Sequence, residues 1–203
     1  MLLVACDDDP DTVRGSGTLA SDERSVSGFD EVALEGIGEL VIDVGGTESL
    51  TIEAEDNLLP LLTSEVRGST LELGAQEAMS PTRPITYTVG AAVVEGVSVS
   101  GIGEVVVPNL ACESFTVDLS GTGTFDVGGE CDQLELSISG SGDFDGEDLA
   151  VAIASVSISG SGDAIVNATD QLHVSISGSG NVAYVGDPVT DVDIDGAGDV
   201  RQL

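Results

Sequence analysis

Acidic residues that follow paired glycines are the first candidates for chemistry in this sequence. A Gly-x-Gly triplet recurs six times between residues 101 and 198, and Asp143, Asp163 and Asp199 each follow one directly. Carboxylate oxygens gathered in one place are ligands that suit Ca²⁺. The nine-residue GGxGxDx repeat of calcium-binding toxins is absent, and Thr124 and Asn181 take the same place after other triplets. The three aspartates are therefore calcium candidates, a turn-forming role is the alternative, and no other cofactor is expected.

Two of the three cysteines have matching positions. Cys112 precedes Gly121 by nine residues, and Cys131 precedes Gly140 by nine. If the repeats stack, the two Cα atoms should lie about 5 Å apart, which a disulfide accepts. Such a bond is plausible in an exported protein, and two buried thiols are the alternative.

The third cysteine, Cys6, ends a stretch that resembles a bacterial lipoprotein processing site, Leu3-Val4-Ala5-Cys6. In such proteins the cysteine carries the lipid, so we predict lipidation of Cys6 and attachment to a membrane. Residues 1–6 would then be the remnant of a lipoprotein signal. Five residues are shorter than a usual signal, so a late start codon, a trimmed chain and a chance match are alternatives.

No residue stands out as catalytic. The single histidine, His173, lies in "LHVSIS" on the polar parity, and we expect it to face solvent where Glu135 stands one repeat earlier. Lys and Trp are absent and the five arginines are scattered. A carbohydrate-active β-helix enzyme of the polysaccharide lyase or hydrolase type is the alternative, because parallel β-helices also support that chemistry.

The charge of the chain restricts its partners. It has 37 acidic residues against five Lys plus Arg, for a formal net charge of −32. Nucleic acid is therefore excluded as an expected partner, since phosphates need Lys or Arg. The acidity is consistent with a solvated coat that suits high salt, or with cation sites, and the sequence leaves both open.

The repeat predicts the fold. Successive triplets are 20, 19, 20, 18 and 18 residues apart, and an alternating segment such as "LELSIS" or "LHVSIS" precedes most of them. A regular period with apolar residues on one parity predicts an all-β solenoid, a parallel β-helix whose coils contain two or three short strands. Glycine at the corners would allow positive φ and close approach of neighbouring coils.

Several motifs together resemble one family. "RSVSGFDEVALEGIGELVI", "LTIEAEDNLLPLL", "PITYTVG" and the "SGSGD" runs are similar to the putative autotransporter adhesin head GIN domain family, over residues 28–199. The resemblance implies a right-handed parallel β-helix, a location in the cell envelope and a role in adhesion. It implies no catalytic residue.

We therefore predict a non-enzymatic, lipid-anchored envelope domain that acts in surface interaction or adhesion and faces the periplasm or the cell exterior. Expected partners are the membrane, through the lipid, and a glycan or envelope protein; the oligomeric state stays open. Residues 7–27 are expected to form an acidic linker and first strand, residues 28–95 an N-terminal part of the helix with longer insertions, and residues 96–203 the regular repeats.

Overall fold

The computed structural model describes residues 12–203, so Cys6 and its neighbours lie outside the described residues. The fold is 67% strand and 2% helix. Its N-terminal part contains β1 (Val13–Arg14), β2 (Leu19–Arg24), β3 (Glu31–Leu34), β4 (Ile37–Val44), β5 (Ser49–Glu55), a 3₁₀ helix (Leu59–Leu61), β6 (Leu62–Arg67), β7 (Thr70–Ala75), β8 (Met79–Ser80) and β9 (Thr86–Ala91). The remaining strands are β10 (Gly96–Val99), β11 (Ile102–Leu119), β12 (Thr122–Ile138), β13 (Asp143–Ile158), β14 (Ala164–Ile176), β15 (Val182–Val185), β16 (Val189–Ile194) and β17 (Val200–Gln202). Within residues 12–203, no helix has the length and apolar character needed to span a membrane.

Strands β11 to β14 stack in parallel as successive coils. Val117 pairs with Leu136, Leu136 with Val156, and Val156 with Val174. These steps of 18 to 20 residues match the period of the sequence, and the solenoid has about five turns. The predicted all-β, right-handed parallel β-helix is confirmed.

The coils differ from the prediction in one respect. Strands β11, β12 and β13 run almost without interruption for 18, 17 and 16 residues, instead of breaking into two or three short strands. Their corners are shifts of pairing register, for example between Val107 and Leu110. A bulge bends a strand while most backbone groups stay paired with the neighbouring coil, so each coil turns without needing a loop.

The glycine triplets form a corner where neighbouring coils approach closely. A Cβ atom on Gly160 would lie 2.6 Å from the carbonyl oxygen of Ser139, and closer still to that of Gly140. The expected positive φ is wrong for nearly all of these glycines, because Gly123 alone in the six triplets has one, at +148°. Close backbone approach is therefore the reason that glycine recurs.

Apolar side chains fill the inside of the coils. The column through Leu136, Val156 and Val174 is at most 3% exposed. Aromatic rings add to the core: Phe125 packs against Phe115 and Phe144 with ring centroids 6.4 and 5.8 Å apart. These contacts make one continuous core along the solenoid axis.

Antiparallel strands close the N-terminal end of the solenoid. Strand β4 lies beside β11 and parallel to β9, and β9 continues into antiparallel β5 and then β2. The guanidinium of Arg24 donates hydrogen bonds to the carbonyl oxygens of Leu59 and Leu62, at 3.0 and 2.8 Å. These bonds fix the 3₁₀ helix over the core, where Leu58 is fully buried.

Candidate functional site

One side of the solenoid presents two parallel rows of polar side chains, which we call the serine face. It is formed by the outward residues in the C-terminal halves of β11 to β14 and in β16. Its members are Thr116, Asp118, Glu135, Ser137, Ser155, Ser157, His173, Ser175, Asp191 and Asp193. The alternation of each strand sends the next residues, such as Val156, into the core. The face is therefore a direct product of the repeated "SIS" pattern.

Two shallow hollows lie along this face. The larger, of about 310 Å³, is lined by Ser137, Ser157, Ser175 and their neighbours in β12 to β16. The smaller, of about 230 Å³, includes Thr116 and Asp118, which pair with residues of the first hollow's strand. Because the coils are in register, hydroxyl and carboxylate groups repeat along the groove at the strand spacing of about 4.8 Å. This arrangement suits an extended ligand better than a compact one.

The serine face is acidic. Four carboxylates stand in its two rows, on Asp118, Glu135, Asp191 and Asp193, and no Lys or Arg belongs to it. Hydroxyl and carboxylate oxygens accept hydrogen bonds from ligand hydroxyl or amino groups. The face is thus chemically matched to neutral or cationic polyhydroxylated chains, and it repels anionic ones.

His173 lies in the middle of the larger hollow. Its side chain is half exposed, and Nδ1 lies 3.5 Å from a carboxylate oxygen of Asp191 in the next coil. The expected solvent-facing orientation is therefore correct, but its neighbour was misplaced: Ser155 precedes His173 by one coil, and Glu135 by two. The similar letters of "LELSIS" and "LHVSIS" conceal the coil that lies between them.

The acidic residues after the glycine triplets form a hydrogen-bonded ladder. Asp143 accepts a bond from the backbone N–H of Asp163 at 2.9 Å, and Asp163 accepts bonds from the N–H and side-chain amide of Asn181 at 2.7 and 2.9 Å. The N–H of Asp199 donates to the side chain of Asn181 at 3.1 Å. A backbone donor between adjacent carboxylates offsets their repulsion, which gives these positions a structural role.

The ladder does not gather a full set of cation ligands. Across residues 12–203, no group of three or more His, Cys, Asp or Glu side chains is arranged to hold a metal ion. Binding of Ca²⁺ at Asp143, Asp163 and Asp199 stays a prediction.

Cys112 and Cys131 face each other across adjacent coils. They occupy paired positions in β11 and β12, as the spacing predicts. Their sulfur atoms are bonded in the structure, and the Cα atoms lie 4.8 Å apart. The bond links positions 19 residues apart, a loop of a size for which a disulfide adds about 3 kcal/mol.

Reduction of this bond is expected to lower the free energy of unfolding by about 3 kcal/mol. Urea unfolding with and without reductant measures the loss, and the double variant Cys112→Ser, Cys131→Ser should show none. Alkylation under denaturing conditions followed by mass measurement gives the direct check. Labelling of both cysteines without prior reduction would contradict the bond.

Glu55 is a buried carboxylate that the sequence pattern does not reveal. It ends β5 and is fully buried. Its oxygens accept hydrogen bonds from the hydroxyl and N–H of Thr82 at 2.6 and 2.8 Å and from the N–H of Gly17 at 2.5 Å. The Thr82 hydroxyl is the main cause that holds the pKa of Glu55 below its ordinary value; burial opposes it, and backbone N–H groups add to it. The carboxylate therefore joins three segments of the N-terminal part.

We expect Glu55 to stabilise the fold in a pH-dependent way. Because its pKa is lower in the folded chain, its contribution is present above the ordinary value of 4.5 and is lost as the pH falls through the lowered pKa. Glu55→Gln should destabilise the chain at neutral pH, and the difference from the parent chain should shrink on acidification. Urea unfolding from neutral to acidic pH measures this.

Glu53→Gln is the matched control, because Glu53 is exposed on the same strand. An equal and pH-independent loss in both variants would contradict the role given to Glu55.

Tyr87 is a second buried group that the sequence pattern does not mark. Its ring is fully buried, and its hydroxyl has no hydrogen-bond partner among the described residues. Burial raises the pKa of Tyr87 to about 12, and the positive charge of Arg24 acts in the opposite direction. The tyrosine therefore stays neutral and acts as a core side chain.

Solved structures share this fold. The chain is similar to the crystal structure of a putative adhesin from Bacteroides fragilis, at 21% identity and a TM-score of 0.79; the match covers 94% of this chain and all of that one. Putative adhesins from Parabacteroides merdae and Parabacteroides distasonis match at 20% and 22% identity, with TM-scores of 0.59 and 0.56. Each match covers 95% of this chain, and 99% and 100% of the other chain. No curated protein matches the chain.

These features define an adhesin-like β-solenoid domain. Residues 28–188 match the family described as "Putative auto-transporter adhesin, head GIN domain". The chain belongs to this family, as the motifs of its sequence predict. An adhesin-like family suggests a location at the cell surface or in the envelope.

Proposed function

We propose that this chain is a non-enzymatic, lipid-anchored adhesion domain of the cell envelope that binds an extended glycan along its serine face. Family membership supports the adhesive role. The observation that carries the choice of surface is the in-register array of Ser137, Ser157 and Ser175 beside the 310 Å³ hollow. The acidity of the face favours neutral or amino-sugar polymers over anionic ones.

The same face gives little support to catalysis of glycan cleavage. Its carboxylates, such as Glu135 and Asp191, are exposed along the rows, and no Lys or Arg of this face could act beside them. Incubation with neutral and acidic polysaccharides should therefore release no product. Release of oligosaccharides by the purified chain would overturn the non-enzymatic part of the proposal.

The lipid anchor rests on the Leu3-Val4-Ala5-Cys6 stretch of the sequence. In cells that process lipoproteins, the chain should enter the detergent phase in phase partition, and Cys6→Ser should move it to the aqueous phase. If the parent chain and the variant partition alike, the anchor is not on Cys6.

An array of neutral, amino-sugar and acidic glycans tests the binding function. We expect binding to neutral or amino-sugar chains, at least about tenfold weaker in Ser157→Arg because the long side chain fills the groove; tenfold is about 1.4 kcal/mol. Thr124→Arg is the matched control, since Thr124 is exposed on another sheet of the solenoid. No glycan binding, or equal losses in the two variants, would overturn the proposal.

A further inference from the structure

The C-terminal end of the solenoid exposes side chains that belong to its core columns. Val192 continues the column of Val156 and Val174, and Ile194 continues that of Ile176. Val174 and Ile176 are 3% and 1% exposed, whereas Val192 and Ile194 are 42% and 40% exposed. The last coil therefore presents an apolar surface with the same spacing as the core below it.

This end also has open strand edges. Strand β16 pairs with β14, and β17 pairs with β15; no described strand occupies the opposite edge of either. Unpaired backbone groups on such an edge can accept another strand. The opposite end is different, because antiparallel β2 and β5 and the 3₁₀ helix already close it. Head-to-tail stacking of copies is therefore disfavoured.

We propose that two copies of this chain pair through their C-terminal ends about a two-fold axis, with the β16 edges antiparallel. A second copy supplies what this end lacks: a free edge of the same curvature, and apolar side chains at the same spacing. An isologous contact of this kind closes on itself and stops at the dimer. Val192 and Ile194 of each copy are then covered by the other.

Charge sets the conditions for this pairing. On β16, Thr190, Val192 and Ile194 share one parity and Asp191 and Asp193 the other. In an antiparallel pair that matches inward with inward residues, the aspartates of one copy must face those of its partner. Like charges directly opposite are destabilising, so the dimer should form weakly at low salt and more strongly when salt screens the aspartates.

Sedimentation of the full chain at about 0.1 M and about 1 M NaCl, where the Debye length falls from about 10 Å to about 3 Å, tests this inference. We expect a monomer at low salt and a dimer fraction that grows with concentration at high salt. Ile194→Asp should remove the dimer, whereas Ile102→Asp should leave it, since Ile102 is exposed on the side of the solenoid.

A second variant separates pairing from loss of fold and from the general effect of salt on apolar contacts. Asp193→Asn removes a facing charge and should raise the association constant at low salt by at least about threefold, whereas Asp145→Asn on another sheet should not. A chain that stays monomeric at both salt concentrations contradicts the proposal. So do growth beyond the dimer, equal loss in the two isoleucine variants, and no gain in Asp193→Asn.

Discussion

Gly160→Ala is expected to be among the most destabilising single substitutions in the chain. The added methyl group would meet the backbone oxygens of Ser139 and Gly140 in the coil below, and neither can move without opening the stack. Overpacking of this kind costs about 3 kcal/mol, and the melting temperature of a chain this long would fall by about 9 °C. Thermal and urea unfolding measure the change.

Gly46→Ala is the control for this prediction. Gly46 has no positive φ, and nothing lies within 4 Å of the added methyl group. Its stability should change by less than about 1 kcal/mol, with a slight gain because alanine restricts the unfolded chain. If the two variants lose the same stability, close approach of the coils is not the reason for the repeated triplets.

Phe125→Ala is expected to be at least as severe. Phe125 is fully buried and contacts two other phenylalanines, in a chain with four in total. Truncation leaves a cavity in the middle of the stack and costs about 4 kcal/mol, or about 12 °C in melting temperature. Urea unfolding of purified variants gives the value.

Two further variants define what this result means. Val93→Ala removes apolar atoms from a side chain that is 47% exposed, and should change stability by less than about 0.5 kcal/mol. Phe125→Leu keeps much of the buried volume and should retain most of the stability. A small loss in Phe125→Ala would contradict a single continuous core.

Much of the fold is predictable because each coil repeats the same local instructions. The period places Leu136, Val156 and Val174 in one column, and the two-residue alternation turns Ser157 outward. Stacking of equal coils then brings Cys112 beside Cys131. In a solenoid, neighbours in space lie one period apart in sequence, so a local pattern determines long-range contacts.

The rest depends on contacts that no period encodes. Glu55 lies at the end of an alternating strand whose pattern predicts an outward side chain, and it is buried because a later loop brings Thr82 over it. The order of coils around His173 also required the pairing itself, because Ser155 lies in a coil whose letters differ from those before and after. Unequal repeats hide one coil from a comparison of motifs.

The single histidine of the chain gives the most direct test of the serine face as a binding surface. His173 lies at the centre of the larger hollow, so its ring signals are unambiguous in a proton NMR spectrum and report on the groove. Titration with a glycan that binds on the array should shift the ring signals of His173 in a saturable way, with the same affinity as binding. Saturable binding that leaves these signals in place would contradict the account.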